Sequence, residues 1–261
     1  MNNHIEAFRR ALDAGHLRLG ASITFADPGV TEALAGSVDF LWIDLEHTPL
    51  AMESTIQHLI AARAGGVPCI VRIPSGDVGW IKKTLDCGAD GIILPRSDGA
   101  EEVRRFVAAC RYPPMGTRGF GPRRPTEYGR RDGGAYADWA NRNVFVVAQI
   151  ETAGALDEID AIVAIEGLDS IVLGPYDLSG SIDTLGDVEG PVVMKALETI
   201  VKKARAAGKY AGCGCGTDVA FVRKMVDLGV QWAHVGCDYQ YLHMMAEQVF
   251  AQVRGETDRG A

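Results

Sequence analysis

The stretch "DFLWIDLEHTPL", residues 39–50, places an apolar run directly before a group of ionisable side chains. The run Phe40–Ile43 is typical of a strand that is buried on both faces. Asp44, Glu46 and His47 follow it. Burying a charge is costly unless the charge is paired, hydrogen-bonded or bound to a metal. The stretch therefore predicts a buried strand whose end carries either a structural ion-pair network or a functional site.

The same unit, a short apolar run followed by a polar loop and a helical pattern, recurs along the chain. Eight such units in about 250 residues is the size of a (β/α)8 barrel, in which every strand is parallel to its neighbours. The alternative is a doubly wound sheet, but no GxGxxG motif follows the first strand. The predicted strands are Leu19–Phe25, Phe40–Asp44, Cys69–Ile73, Gly91–Pro95, Val144–Ile150, Ser170–Gly174, Tyr210–Gly214 and Trp232–Gly236.

The sequence predicts one α/β domain over residues 1–261, a TIM barrel with an N-terminal amphipathic helix and a C-terminal helix over residues 238–255. An insertion rich in Gly, Pro and Arg, Tyr112–Asn143, separates the fourth and fifth strands. Long insertions in compact domains are usually functional or form interfaces. We therefore expect an extended loop that borders the mouth of the barrel or a subunit interface. Solvated arginines on a loose loop are the alternative.

The composition is ordinary for a globular protein, with 47% apolar residues and a formal net charge of −8. The negative charge argues against nucleic acid and anionic membrane as partners. We find no apolar run long enough for a transmembrane helix and no signal peptide. The six cysteines form no CxxC pair, which favours reduced thiols in a cytoplasmic protein.

Polar side chains occur where several of the predicted strands end. The carboxyl ends of barrel strands meet at one face, so we expect these side chains to converge on one mouth. They are Asp44, Glu46 and His47 of the second strand, Arg72 of the third, Gln149 and Glu151 of the fifth, and Asp177 after the sixth.

Glu151 and Asp177 are two hard oxygen ligands of the kind that Mg²⁺ or Mn²⁺ prefers, with water and substrate completing the shell. A helix N-cap or a loop salt bridge is the alternative for either acid alone. His47 is a candidate acid or base, and a core histidine bonded to a backbone carbonyl is its alternative. Arg72 must meet an anion, which is either Asp44 or a substrate oxygen.

The seven lysines fall on predicted helices or just before the seventh strand, and none falls at the carboxyl end of a strand. A Schiff-base aldolase needs a buried lysine there, so metal-assisted enolate chemistry is favoured. The glycines of "GCGCG", Gly212–Gly216, fit either a phosphate-binding loop or close packing of a strand.

Several motifs together resemble the metal-dependent pyruvate aldolases of the HpcH/HpaI family. The family includes 4-hydroxy-2-oxoheptanedioate aldolase and the 2-keto-3-deoxy-sugar-acid aldolases. The resemblance extends from about Leu19 to Leu242, and the motifs are "DFLWIDLEHTPL", "LDCGADGIILP", "YPPMGTRGFG", "VVAQIETAGALDEID" and "GLDSIVLGPYDLSGSIDTLG".

The resemblance implies a class II aldolase that reversibly cleaves a 4-hydroxy-2-oxo acid into pyruvate, or a close analogue, and an aldehyde through a metal-bound enolate. It implies no organic cofactor, and a homo-oligomer, usually a hexamer, in which the last helix packs on a neighbouring subunit. The implied ligands of Mg²⁺, Mn²⁺ or Co²⁺ are Glu151 and Asp177. Arg72 would stabilise the enolate oxygen, and His47 would act in acid/base catalysis through a water.

The other residues of the expected site have binding or supporting roles. The resemblance implies that Asp86 supports the histidine from an adjoining subunit. Asp44 and Glu46 are expected to orient the histidine and to pair with the arginine. The residues expected near the metal or the donor substrate are Gln149, Gly174, Pro175 and Tyr176.

Three departures from the family pattern are Leu45, Ser97 and Tyr176. Tyr176 is bulky beside the expected ligand Asp177, which leaves the acceptor aldehyde open. Two other functions stay open at this point. One is a related metal–enolate lyase or an oxaloacetate decarboxylase, and the other is a non-catalytic oligomeric barrel.

Overall fold

The computed structural model describes residues 4–255, which form a closed barrel of eight parallel strands in sequential order. The predicted (β/α)8 fold is thereby confirmed, and each observed strand end lies within two residues of its predicted position. The strands are β1 (Arg18–Ile23), β2 (Phe40–Asp44), β3 (Cys69–Arg72), β4 (Gly91–Leu94), β5 (Phe145–Ile150), β6 (Ser170–Leu173), β7 (Tyr210–Cys215) and β8 (Trp232–Cys237).

Helices connect the strands and cover the outside of the barrel. Asp27, Asp77 and Asp218 each cap a helix by accepting a hydrogen bond from a backbone amide of its first turn. Within residues 4–255, no helix combines the length and the apolar character that crossing a membrane requires. The helices are α1 (His4–Asp13), α2 (Pro28–Ala35), α3 (Met52–Gly65), α4 (Val78–Asp86), α5 (Ala100–Cys110), α6 (Gly133–Asn143), α7 (Ala153–Asp157), α8 (Ile159–Val163), α9 (Pro175–Ser181), α10 (Pro191–Ala206), α11 (Val219–Asp227) and α12 (Asp238–Arg254).

The lower part of the barrel lumen is filled by aromatic rings that face glycines on the neighbouring strands. A Cβ atom on Gly212 would lie 2.2 Å from the Trp232 ring, and one on Gly20 would lie 2.7 Å from the Phe40 ring. The glycines of β1 and β7 therefore make room for the large rings of β2 and β8. This contact favours close packing as the role of Gly212. From below, Phe8 of α1 packs edge-on against Phe40, with ring centroids 5.5 Å apart.

A buried carboxylate joins the first and last strands at the mouth of the barrel. Asp238, just after β8, accepts hydrogen bonds from the Thr24 amide at 2.8 Å, the Thr24 hydroxyl at 2.6 Å and the Phe25 amide at 3.0 Å. Asp238 and the groups that donate to it lie just beyond the ends of β8 and β1. The bonds therefore fix the seam between these two strands, where the barrel closes.

The insertion Tyr112–Asn143 is confirmed, but it is more ordered than a loose loop. Its last third forms α6, and the buried Arg118 side chain pairs with Asp86 at 2.7 Å. Arg124 donates to the carbonyl oxygens of Leu59 and Cys87. The insertion leads from α5 into β5, so within this chain it lies at the amino-terminal ends of the strands, opposite the mouth. The expectation that it borders the mouth is therefore wrong for a single chain, because α5 has already returned the chain to the other end.

Candidate active site

Three polar side chains form the top layer of the lumen. Side chains two residues apart on a strand share a face, so a residue two positions beyond a lumen residue also points inward. Each of the three side chains lies two positions beyond a residue that points into the lumen. Asp44 follows Trp42, Arg72 follows Ile70, and Gln149 follows Val147. The strand pattern thus brings the ends of β2, β3 and β5 together at the top of the lumen.

Arg72 is held in place by a two-point ion pair. Its Nε and Nη2 atoms donate to the two carboxylate oxygens of Asp44 at 2.9 and 2.8 Å, and the two residues are direct partners in the β2–β3 ladder. The guanidinium also lies over the Trp42 ring, 5.4 Å from its centroid. Burial alone would raise the pKa of Asp44, but the hydrogen bonds and charge of Arg72 lower it below its usual value. The remaining nitrogen, Nη1, lies 3.5 Å from Gln149 Oε1, its one hydrogen-bond partner among residues 4–255, and can therefore bind a substrate oxygen.

Glu46 connects this arginine to His47. Its Oε2 atom lies 3.3 Å from Arg72 Nε and 3.5 Å from His47 Nε2, yet it accepts no hydrogen bond from residues 4–255. Burial raises the pKa of Glu46, with the charges of Asp44 and Asp177 adding to the rise and Arg72 opposing it. The His47 side chain is 60% exposed, so it belongs to the mouth and not to the core.

Glu151 is the most enclosed acid of the site. Its Oε1 atom accepts a hydrogen bond from the Arg96 amide at 2.7 Å, and its Oε2 atom accepts one from the Gln149 side-chain amide. Burial raises the pKa of Glu151 to about 7, and the charges of Asp177 and Glu46 contribute to the rise. A negative charge at Glu151 is therefore unfavourable unless a cation is near.

Gly174 is placed where no side chain would fit. A Cβ atom there would lie 2.3 Å from Glu151 Oε2 and 2.9 Å from Gln149 Nε2. The next residue, Pro175, is buried at the start of α9. The first turn of α9 carries Tyr176 and Asp177, whose side chains reach solvent: Tyr176 is 63% exposed and the Asp177 side chain 44%.

Sequence reasoning missed Arg96, which connects the two acids. Its amide binds Glu151, and its Nη1 atom lies 3.6 Å from Asp177 Oδ1. Arg96 follows β4 by two residues, with a positive φ of 43°. A charged residue directly after the strand end at Pro95 was the signal that could have found it.

Asp86 is the one predicted site residue that this chain does not bring to the mouth. It ends α4, whose direction opposite to β3 carries it toward the amino-terminal ends of the strands. Its carboxylate pairs with Arg118 instead of His47. The predicted support of the histidine can therefore come only from another subunit.

The acids of the mouth fit a divalent cation. Glu151 and Asp177 offer hard oxygens, Glu46 has a buried oxygen without a hydrogen-bond donor, and the pKa values of both glutamates are raised in the chain alone. In the described part of the chain, no group of three or more His, Cys, Asp or Glu side chains is arranged as a complete metal site.

Comparison with known proteins gives consistent matches over nearly the whole chain. A sequence model of the family described as HpcH/HpaI aldolase/citrate lyase matches residues 25–244. A hydroxypyruvate/pyruvate aldolase of Roseovarius nubinhibens is 36% identical over 248 residues, which cover 95% of this chain and 96% of the relative. A 4-hydroxy-2-oxovalerate aldolase of Novosphingobium aromaticivorans is 36% identical over 241 residues, covering 91% and 90%. The crystal structure of an HpcH/HpaI aldolase from Desulfitobacterium hafniense superimposes with a TM-score of 0.88 at 27% identity, covering 97% of this chain and 98% of the other.

Proposed function

The chain belongs to the HpcH/HpaI aldolase/citrate lyase family, and from this we propose that it is a divalent-metal-dependent aldolase. It reversibly cleaves a 4-hydroxy-2-oxo acid into pyruvate, or a close analogue such as hydroxypyruvate, and an aldehyde. The names of the relatives support this class of substrate.

The observation that carries the proposal is the environment of Arg72. Asp44 fixes two of its nitrogens, Trp42 supports its plane, and Nη1 remains directed at the top of the lumen beside Gln149. A guanidinium fixed in this way can hold the oxygen of an enolate without having to reorganise when charge develops there. Aldol cleavage and its reverse both pass through such an enolate.

His47 has the position of the base. In cleavage, a base removes the proton of the 4-hydroxyl group, through a water if the distance requires one. The C3–C4 bond then breaks, C4 leaves as the aldehyde, and the bonding electrons pass to C3 and the keto oxygen as the enolate. Protonation at C3 gives pyruvate. Glu46, 3.5 Å from the imidazole, stabilises the proton that His47 receives.

The two acids Glu151 and Asp177 would hold Mg²⁺, Mn²⁺ or Co²⁺. A cation there supplies Lewis-acid stabilisation of the charge that develops on the keto acid. Gln149 orients the Glu151 carboxylate, and Gly174 leaves the space that this carboxylate fills. The backbone that follows Gly174, with Pro175 and Tyr176, would form the wall beside the donor substrate.

A second candidate, a decarboxylase of oxaloacetate or a related enolate lyase, is favoured by one difference within the site. The Arg72 side chain is 14% exposed and is held by Asp44 at two points, whereas the His47 side chain is 60% exposed and its one ion pair within the described residues is with Glu46. Decarboxylation needs the group that holds the enolate but no base at a hydroxyl.

Two variants separate these candidates. His47→Ala should reduce aldol cleavage by roughly 10²–10⁴ and reduce oxaloacetate decarboxylation far less. Arg72→Ala should reduce both reactions, and Arg72→Lys should restore little because an ammonium lacks the planar fork that Asp44 holds. The measurement is kcat for both reactions, with circular dichroism as a check of folding. Equal losses in His47→Ala would show that the histidine does not act on the hydroxyl.

We propose that the active form is a homo-oligomer, with six subunits as in the resemblance. α12, the predicted C-terminal helix, carries apolar side chains that are more than 40% exposed, among them Leu242, Met245 and Phe250, and these would pack on a neighbouring subunit. An adjoining subunit would also be the source of the Asp86 carboxylate that supports His47. The six free thiols of the chain support a reducing, cytoplasmic location.

A further inference from the structure

We propose that Arg96 binds a carboxylate at the far end of the acceptor aldehyde, so that the enzyme selects acidic acceptors. The inference rests on the proposed aldolase function and deepens it. Arg72 serves the donor half of the reaction inside the lumen. Arg96 stands above it, on the solvent side of the same mouth.

The Arg96 guanidinium lies over the mouth, and its N–H donors are not all hydrogen-bonded. Its ion pair with Asp177 is 3.6 Å long, which is beyond ordinary hydrogen-bond distance, and the side chain is 62% exposed. Among residues 4–255 it makes no side-chain hydrogen bond. The pair with Asp177 places the guanidinium on the β6 side of the opening, and its planar set of donors remains available to a ligand.

The backbone fixes this position. The φ of 43° is uncommon for a residue with a Cβ atom, and such conformations persist where the surroundings impose them. Here the cause is visible: the Arg96 amide is bound to Glu151 at 2.7 Å. The same residue thus anchors its main chain to the buried acid and directs its side chain over the entrance.

The charge of the mouth indicates which ligand Arg96 would bind. The chain carries a formal charge of −8, and the mouth contains the acids Glu46 and Asp177, of which Asp177 has the more exposed side chain, at 44%. An acceptor that ends in a carboxylate would be repelled there unless a cation met it. The keto acid reacts at the lumen, so the far end of a longer substrate extends toward solvent, where Arg96 lies. A carboxylate matches the guanidinium fork in two-point geometry.

The test compares acidic and uncharged acceptors in the metal-loaded enzyme. Aldol addition of pyruvate is measured with succinic semialdehyde and with pentanal, which has a similar length and no charge. Glyceraldehyde 3-phosphate and glyceraldehyde form a phosphate arm. The variants are Arg96→Met, Arg96→Lys and, as the matched control, Arg104→Met. Arg104 is similarly exposed, at 57%, and pairs with Glu101 on α5 outside the mouth.

In Arg96→Met we expect the kcat/KM ratio of succinic semialdehyde to pentanal to fall by roughly 10- to 100-fold, with an intermediate fall in Arg96→Lys. Arg104→Met should leave the ratio at the wild-type value. Two readouts that involve no acceptor accompany the kinetics, namely the Mn²⁺ dissociation constant and the rate of oxaloacetate decarboxylation. Because the Arg96 side chain also lies 3.6 Å from Asp177, any change in these two readouts should act on both acceptors alike and leave the acceptor ratio unaffected.

An unchanged acceptor ratio in Arg96→Met would overturn the inference. So would an equal loss with both acceptors together with a tenfold change in Mn²⁺ affinity, which would make Arg96 a residue of the metal site. A larger fall in the phosphate arm would replace the carboxylate by a phosphate. A wild-type enzyme that forms no aldol product with any acceptor would refute the proposed function itself, and the inference that rests on it would be refuted with it.

Discussion

Replacing Gly174 by alanine tests the site with one carbon atom. The backbone of Gly174 has φ −111° and ψ 79°, so an L-residue needs no positive φ there and the change acts through side-chain space alone. The added Cβ would lie 2.3 Å from Glu151 Oε2, where ordinary van der Waals contact begins at 3.4 Å. The carboxylate of Glu151 must therefore move by about 1 Å, or α9 must shift away from it.

The structure sets the size of the two expected effects. Overpacking of this kind costs about 1–3 kcal/mol, which corresponds to a fall in Tm of about 2–12 °C for a domain of this size. The loss of activity should be larger than the loss of stability suggests. A displacement of about 1 Å in a catalytic group can cost about 10²-fold in rate.

The assay for Gly174→Ala pairs a thermal melt with metal-dependent exchange of the pyruvate methyl protons for deuterium, which follows enolate formation without any acceptor. Gly216→Ala is the matched control, because it follows β7 near the same mouth and a Cβ atom there would meet nothing within 4 Å. A Gly174→Ala enzyme with a lowered Tm but a wild-type exchange rate would show that Glu151 takes no part in enolate formation. Wild-type values in both measurements would refute the packing argument.

Two further predictions concern metal and pH. Exhaustive chelation should abolish kcat while the circular dichroism spectrum stays nearly unchanged, because the barrel core is apolar. Mn²⁺, Co²⁺ or Mg²⁺ should restore activity, and Glu151→Gln should resemble the chelated enzyme. Full activity without metal would contradict the proposed metal site. Burial raises the pKa of Asp90 to about 7, against a hydrogen bond from the Cys69 amide. The folded chain then keeps a proton that the unfolded chain loses near pH 4, so this group's contribution to the free energy of unfolding falls as pH rises from about 4 to 7, by at most about 4 kcal/mol. Asp90→Asn should flatten that fall in urea unfolding at pH 5 and pH 8, and an unchanged pH dependence would contradict it.

The strands could be predicted because each is a short apolar run between polar segments. Once the strands are placed, the period of two along each strand decides which side chains enter the lumen. The pairing of Asp44 with Arg72 follows from this period and from their position opposite each other at the ends of β2 and β3. The part of the site that belongs to regular strands was therefore open to sequence reasoning.

The remainder depends on backbone beyond the strand ends or on other subunits. Arg96 lies in a loop whose direction is set by its own positive φ and by the hydrogen bond from its amide to Glu151. Neither feature can be predicted from the periodicity of the sequence. The sequence predicts a loop at α6, because two glycines, Gly133 and Gly134, open the helix and its helical pattern is short. Asp86 meets Arg118 in the single chain, so its predicted role depends on an assembly that one sequence does not describe.

The seam between β1 and β8 has a consequence for how the chain folds as it is synthesised. Gly20 pairs with His234, and the Asp238 clamp on Thr24 joins residues 214 positions apart. During translation β1 therefore leaves the ribosome with one edge open, and its partner follows only after nearly the whole chain has emerged. Pairing between strands that are distant in sequence is slow, and an unpaired strand edge promotes aggregation in the meantime. The barrel can therefore close only after β8 and Asp238 have emerged, the strand that completes the sheet and the carboxylate that fixes it to β1.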